Sequence, residues 1–317
     1  MSVIRAVVVD PSAPERLVIR DVSYPVVSPS EVLVRVKTIS LNRGEIRNVS
    51  GAEEGYKPGW DFAGVVEREA ADGSGPSIGS RVAGLLSSGS WAEVIAVPTN
   101  RLTELPTSVP FTQAATLPVA GLTALWMLEC RGFLLDRHVL VVGASGGVGH
   151  FACQLARQAG AHVIGVVRQS AHETMVKEAG VDRVVVSEDL VEAREFGPYD
   201  LILESVGGRS LTNALAMLAP GGLCINFGTS GDDAVTFDTR QFYFKGGATF
   251  YGFNIFYELT YKSIPDDLSR LARMIADGRL RAHIDLEAPW TRIGEVTQLL
   301  LNRHLTGKVV LHVSDEG

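Results

Sequence analysis

The sequence predicts an α/β protein in which a β-rich unit leads into a doubly wound parallel sheet and is then rejoined by the chain's last segment. Three observations predict it. The first hundred residues carry short runs of alternating, β-branched character separated by Gly- and Pro-containing breaks. From Phe111 the texture becomes dense apolar helix, and then strand and helix alternate. The chain finally closes on GKVVLHV, a strand without a helix behind it. A length of 317 residues also favours two units over one.

The elements follow in order. MSVIRAVVVD is apolar but is broken by Asp10 and Pro11, too early for the core of a signal peptide, and reads as a first strand. EVLVRVKTIS (31–40), FAGVVERE (62–69) and AEVIAVP (92–98) read as further strands, with turn-rich GSGPSIGSRVAG (73–84) between them. That is the texture of a small barrel or sandwich. FTQAATLPVAGLTALWMLECRG has the apolar density of buried helices, with Pro118 as a break or a first-turn residue. Beyond it, the apolar runs HVLVV, HVIGVV, RVVVS, LILESV and LCINFGT alternate with helices that stop at Gly160, Gly180 and Gly221. After Pro265, DDLSRLARMIADGRL is an amphipathic helix.

Composition narrows the function classes. Hydrophobic residues at 46% can build a sizeable core, and a net charge of −7 with scattered basic residues excludes a general nucleic-acid or anionic-membrane surface. No apolar run approaches the ~18 residues of a membrane-spanning helix. Three widely spaced cysteines fit a reducing, cytoplasmic setting.

The chemistry centres on VVGASGGVGH (141–150). The spacing Ala144-x-Gly146-x-x-Gly149 is a dinucleotide fingerprint with alanine in place of the first glycine. A strand precedes it, a helix follows it, and the strand HVIGVV comes next. Gly146 lets the backbone approach a pyrophosphate, Gly149 lets the helix pack on the sheet, and the helix N-terminus supplies free N–H groups. The alternative is a tight turn without a ligand. At the tip of the second strand stand Arg168, Gln169 and Ser170, with no acid before Glu173. That set suits a 2′-phosphate, so NADPH is expected over NADH; otherwise Arg168 is a solvated strand end. The same letters fit Gly143-x-x-x-Gly147-x-Gly149, a short-chain dehydrogenase signature. That reading fails, because the motif lies in mid-chain and no tyrosine has a lysine four residues on.

A longer series covers almost the whole chain: EVLVRVKTISLN, PGWDFAGVV, GSRVAG, AATLPVAGLTAL, VVGASGGVG, YDLILESVGG, APGGLCINFG and TGKVVLHV. In this series the chain resembles the medium-chain dehydrogenase/reductase superfamily, in its zinc-free quinone oxidoreductase (zeta-crystallin-like) branch. The resemblance implies a GroES-like catalytic domain over 1–118 and 255–317. It also implies a Rossmann domain over 119–254 and a nicotinamide cofactor in the cleft between them.

Departures from zinc-dependent relatives shape the rest. Asn42 stands where those carry a cysteine, Gly59-Trp60-Asp61 where they carry Gly-His-Glu, and Gly44 where alcohol dehydrogenases carry a proton-relaying Ser or Thr. No third ligand is found around Val119, and the seven histidines lack ligand spacing, so no zinc is expected. By resemblance Asn42 polarises the acceptor through its amide; alternatively it caps a loop. Arg47 replaces a tyrosine typical of quinone reductases and either binds an anionic substrate or cofactor, or is solvated. Tyr56 is either a proton donor or a packing residue. Trp60 is expected to wall the pocket, and Asp61 to support the loop by hydrogen bonds.

For the cofactor, the resemblance carries over Thr123, the loop Ser145, Gly146, Gly147 and Val148, and then Arg168, Ser187 and Val206. It also carries over Phe227, Gly228, Thr229 and Phe253, with Lys308 at the cofactor phosphate or else solvated. The function implied is a zinc-independent, NADPH-dependent reduction of a quinone, enone or similar activated double bond. The alternatives are an enoyl-thioester or biosynthetic tailoring reductase, and a low-turnover NADPH-binding regulatory protein. A small-molecule substrate and a homodimer, paired through ATFYGFN (248–254), complete the expectation.

Overall fold

A computed structural model describes residues 3–313. The chain opens with β1 (Val3–Val9) and β2 (Leu17–Ser23), paired antiparallel as a separate two-stranded sheet. Then come β3 (Glu31–Leu41), helix α1 (Arg43–Gly51), β4 (Asp61–Arg68), β5 (Arg81–Leu85), β6 (Val94–Pro98) and β7 (Leu102–Glu104). β3 is the longest of these and is buried along most of its length, with Arg35 alone in it exposed. It pairs antiparallel with both β4 and β6.

The apolar stretch from Phe111 is not one helix. It divides into α2 (Phe111–Ala115), a π-helical turn over Leu117–Gly121, and α3 (Leu122–Arg131). Pro118 lies in the π turn, where its missing N–H removes a regular helical bond.

The alternating region follows as β8 (His138–Val142), α4 (Gly147–Gln158), β9 (His162–Val167), α5 (Glu173–Glu178) and β10 (Arg183–Val186). It continues with β11 (Tyr199–Glu204), α6 (Gly208–Ala216), β12 (Leu218–Asn226), α7 (Thr239–Phe244), β13 (Thr249–Gly252) and α8 (Ile255–Glu258). The strands form one parallel sheet in the order β10-β9-β8-β11-β12-β13. β8 is fully apolar along Val139–Val142 because helices cover both faces of such a sheet. Gly160 and Gly180 do end helices, with φ of +85° and +82° just past α4 and α5. Gly221 does not. It lies inside β12 with φ +68°, because α6 has already ended at Ala216.

The chain then runs through α9 (Ile264–Ala276), β14 (Ile284–Pro289), α10 (Ile293–Leu301) and β15 (Lys308–His312). β15 lies between β14 and β3, pairing antiparallel with β3 from Val309↔Leu41 to His312↔Thr38. The last strand therefore completes the first sheet, as its sequence implies. Two compact units result. One runs up to Leu122 and resumes at Tyr261; the other is Thr123–Thr260. The first has its core around Val34, Ile39, Phe62, Trp91, Trp290 and Val309.

Candidate functional site

In the parallel sheet the strand order reverses between β8 and β11, and ligands bind such folds at the carboxyl ends of those strands. The segments just beyond the strands share that edge. They include the predicted Ser145–Val148 after β8, Arg168 after β9, Ser187 after β10, Val206 after β11, Phe227–Thr229 after β12 and Phe253 after β13. Thr123 lies elsewhere, buried in the first turn of α3.

The glycines at the turn after β8 do different jobs. A Cβ on Gly149 would lie 2.3 Å from Gly143 O and 2.9 Å from Ala144 Cα, so α4 can approach β8 only with glycine there. A Cβ on Gly146 would meet only Gly143 O, at 3.3 Å, and the residue is half-exposed. Gly146 is the N-cap of α4 and offers no side chain to the helix end, so the N–H groups of the first turn have no side-chain cap. An open glycine beside uncapped N–H groups at a positive dipole end fits a pyrophosphate. Arg168 is exposed at the tip of β9, in reach of solvent-borne anions.

One residue missed in the sequence organises this edge. Glu204 ends β11 fully buried, and its carboxylate accepts from Val206 N (2.8 Å), Gly207 N (3.1 Å), Ser210 Oγ (2.9 Å) and Asn226 Nδ2 (3.0 Å). It thereby holds the loop after β11, the first turn of α6 and the end of β12 in one place. The hydroxyl of Ser187 donates to Glu192 and accepts from Leu190 N (2.8 Å), so it caps the following turn.

The other predicted residues meet in the first unit. Lys308 Nζ, on a side chain 4% exposed, donates to Asn42 Oδ1 (2.8 Å), Leu41 O (3.2 Å) and Asp61 Oδ2 (3.4 Å). All three of its protons have protein acceptors, so Lys308 is not a phosphate ligand but the buried cation of this cluster. Asn42 Nδ2 donates to Asp61 Oδ2 (2.9 Å) and Glu45 Oε1 (3.0 Å). The amide orientation follows from Lys308, whose ammonium can only donate and therefore faces the amide oxygen. Both Asn42 N–H bonds are therefore spent, and it is the loop-capping amide rather than the polariser of an acceptor. It caps α1, and Glu45 three residues on accepts its backbone N–H at 2.6 Å.

Glu45 is the second missed residue, although Asn-x-x-Glu before a helix is a capping-box signal. Its other oxygen accepts Trp60 N at 2.7 Å. Burial, reinforced by the Asp61 charge, pushes its carboxyl up to about 8. Asp61 supports the loop as expected. Its Oδ1 accepts Val119 N at 2.8 Å, and burial raises its carboxyl against the pull of Lys308. Trp60 rests on α1: a Cβ on Gly44 would lie 2.8 Å from Trp60 Cη2. Arg47 is exposed on the same helix, whereas Tyr56 packs half-buried against the apolar core, which fits packing rather than proton donation.

Comparison with known proteins places this geometry. Residues 28–107 match the family described as alcohol dehydrogenase GroES-like domain, and residues 147–275 match zinc-binding dehydrogenase. The chain belongs to the medium-chain dehydrogenase/reductase superfamily.

Within this superfamily the chain is 26% identical over 315 residues to the synaptic vesicle membrane protein VAT-1 homolog of Danio rerio, covering 90% of this chain and 65% of that protein. The chain thus spans just under two thirds of that relative's length. It is 33% identical over 220 residues to NAD(P)H oxidoreductase RTN4IP1, mitochondrial, of Bos taurus, covering 60% of this chain and 55% of that one. Among solved structures, the quinone oxidoreductase from Coxiella burnetii superposes with a TM-score of 0.86 at 24% identity, covering 99% and 100% of the two chains. The cobalt- and zinc-bound thermostable alcohol dehydrogenase from Pyrobaculum aerophilum gives 0.86 at 26% identity, covering 98% and 100%.

Asn42 and Trp60 stand where the resemblance puts the Cys and His ligands of zinc-dependent members. Among the described residues no group of three or more His, Cys, Asp and Glu side chains is placed to hold a metal ion. Nor is any helix among them long and apolar enough to cross a membrane.

Proposed function

We propose that the protein is a zinc-independent, NADPH-dependent reductase of quinones, enones or similarly activated double bonds, acting as a homodimer. The observation that carries this reading is the saturated cluster at the metal-ligand positions. Asn42, Asp61 and Lys308 satisfy one another, and the indole of Trp60 stands where a ligand would be needed. An acceptor must then be activated by position and by its own conjugation rather than by a Lewis acid. NADPH, when bound, supplies the hydride.

The chain's own part is legible in its residues. The uncapped first turn of α4 and Gly146 receive the pyrophosphate, Glu204 fixes the loops beside it, and exposed Arg168 faces the 2′-phosphate. β13 is an open edge of the parallel sheet, with Phe250 exposed, which supports pairing of two copies.

The test is NADPH oxidation against panels of quinones, enones and enoyl thioesters, with NADH in parallel and with Arg168→Ala beside the native protein. Turnover with quinones or enones, and a loss of affinity in Arg168→Ala that is about tenfold larger for NADPH than for NADH, are expected. Equal losses for the two cofactors would move the 2′-phosphate elsewhere, and stoichiometric zinc in active protein would overturn the mechanism. Sedimentation of the same sample measures the dimer.

A further inference from the structure

The chain has four tryptophans, and three of them are fully buried. Trp91, Trp126 and Trp290 are at most 1% exposed. Trp60 is half-exposed, and both of its backbone groups are hydrogen-bonded. Its N–H is taken by the buried Glu45 carboxylate at 2.7 Å, and its C=O accepts Leu86 N at 3.0 Å. The preceding Gly59 has φ +113°, and a Cβ there would lie 2.4 Å from the Trp91 ring, so the direction from which the chain enters Trp60 is fixed. Partial exposure alone is ordinary for tryptophan; what sets Trp60 apart is an aromatic surface held on a fixed backbone.

Gly44 explains where the ring rests. It occupies the first turn of α1 and is itself exposed, so nothing in the core demands its smallness. What demands it is the indole: a Cβ on residue 44 would lie 2.8 Å from Cη2 and 3.2 Å from Cζ3 of Trp60. The ring edge is seated in the notch that glycine leaves. Two departures that look independent in the sequence, glycine at 44 and tryptophan at 60, are one structural feature.

We propose that Trp60, seated on Gly44, is the surface on which a flat conjugated acceptor stacks, and that this pair sets the acceptor specificity. The proposal rests on the reductase reading above and adds the residue that recognises the acceptor. Asn42 cannot fill that role, because its amide is spent inside the cluster. A stacking wall selects planar rings and conjugated carbonyls over saturated alcohols, since only the former present a π face.

The experiment uses the full chain, with a naphthoquinone as the flat acceptor and Trp60→Leu, Trp60→Phe and Gly44→Ser as variants, each first checked by thermal melting. Without NADPH, the naphthoquinone should quench tryptophan emission saturably, and Trp60→Leu should abolish the saturable part, because the three buried indoles are shielded. With NADPH, Trp60→Leu should raise KM for the quinone about tenfold while the NADPH Kd stays within about twofold, and Trp60→Phe should restore most of the loss. Gly44→Ser, which displaces the ring without removing it, should shift Trp60 emission and raise KM in the same direction. An unchanged quinone KM in Trp60→Leu, with turnover intact, would overturn the stacking role and leave the reductase reading standing. A native protein that binds NADPH but turns over no flat acceptor would overturn the reductase reading. Saturable quenching that disappears in Trp60→Leu would then still support the platform.

Discussion

Gly146 and Gly149 are three residues apart, carry the same letter in the fingerprint, and fail differently when substituted. Any side chain at 149 is driven into backbone, 2.3 Å from Gly143 O, and backbone cannot swing away. Gly149→Ala is expected to lower stability by more than about 2 kcal/mol, read as a fall in melting temperature. At 146 the nearest atom is 3.3 Å away and the rest is open, so Gly146→Val should melt near the native temperature and yet lose NADPH binding in a fluorescence titration. Native NADPH affinity in that variant would remove the phosphate cradle from the account. The fingerprint was legible letter by letter because it is local in sequence. The Asn42 cluster was not. Asn42, Asp61 and Lys308 could each be singled out, but Asn42 and Lys308 lie 266 positions apart and only strand pairing brings them together. Nor does composition reveal that a lysine near the end of the chain is buried, since lysine is ordinarily solvated.

Among the elements, those buried on both faces could be read and those half in solvent could not. β8, β9 and β11 are continuous apolar runs between turn signals. β2 alternates weakly, with exposed and half-buried residues on most of its length, and leaves no period to detect, whereas β14 does alternate, but only over six residues that end at Pro289. Gly221 misled because a glycine inside a strand resembles a helix stop when only the letters are seen. Glu204 shows what joins such elements. Its carboxylate is the common acceptor for β12 and for the turn between β11 and α6, so Glu204→Leu leaves the N–H groups of Val206 and Gly207 without it in a buried place. Urea unfolding should register a loss of at least about 3 kcal/mol, with NADPH affinity falling as the loop loosens. Glu204→Gln, which keeps one carbonyl acceptor, should lie between. A Leu variant of native stability would show that the loop is held by packing alone.

At the scale of the whole molecule, the buried cluster ties together β3, α1, β4 and β15 with two carboxylates and one ammonium. Glu45 has been pushed up from an ordinary 4.5 to about 8, first by burial and then by the Asp61 charge. The folded chain therefore binds more protons than the unfolded chain between those values. Its stability from this group is full on the acid side and is lost as pH rises through about 8. Asp61, also raised by burial, acts in the same direction. Urea midpoints should fall between about pH 5 and pH 8.5, and Glu45→Gln should flatten that slope while staying less stable than the native chain. An unaltered slope in the variant would assign the titration to other groups.

The position of β15 also orders events in time. The parallel sheet has all six of its strands once Gly252 has been synthesised, from one uninterrupted stretch of chain. The first sheet cannot close until His312 is made, because β3 waits for the last strand along the edge from Leu41 to Thr38. A ribosome working from the N-terminus thus emits the first half of that sheet early and its closing strand last, while the later-made domain is already complete. During that interval the Thr38–Leu41 stretch of β3 is an unpaired ladder, open to pairing with another strand until β15 is made.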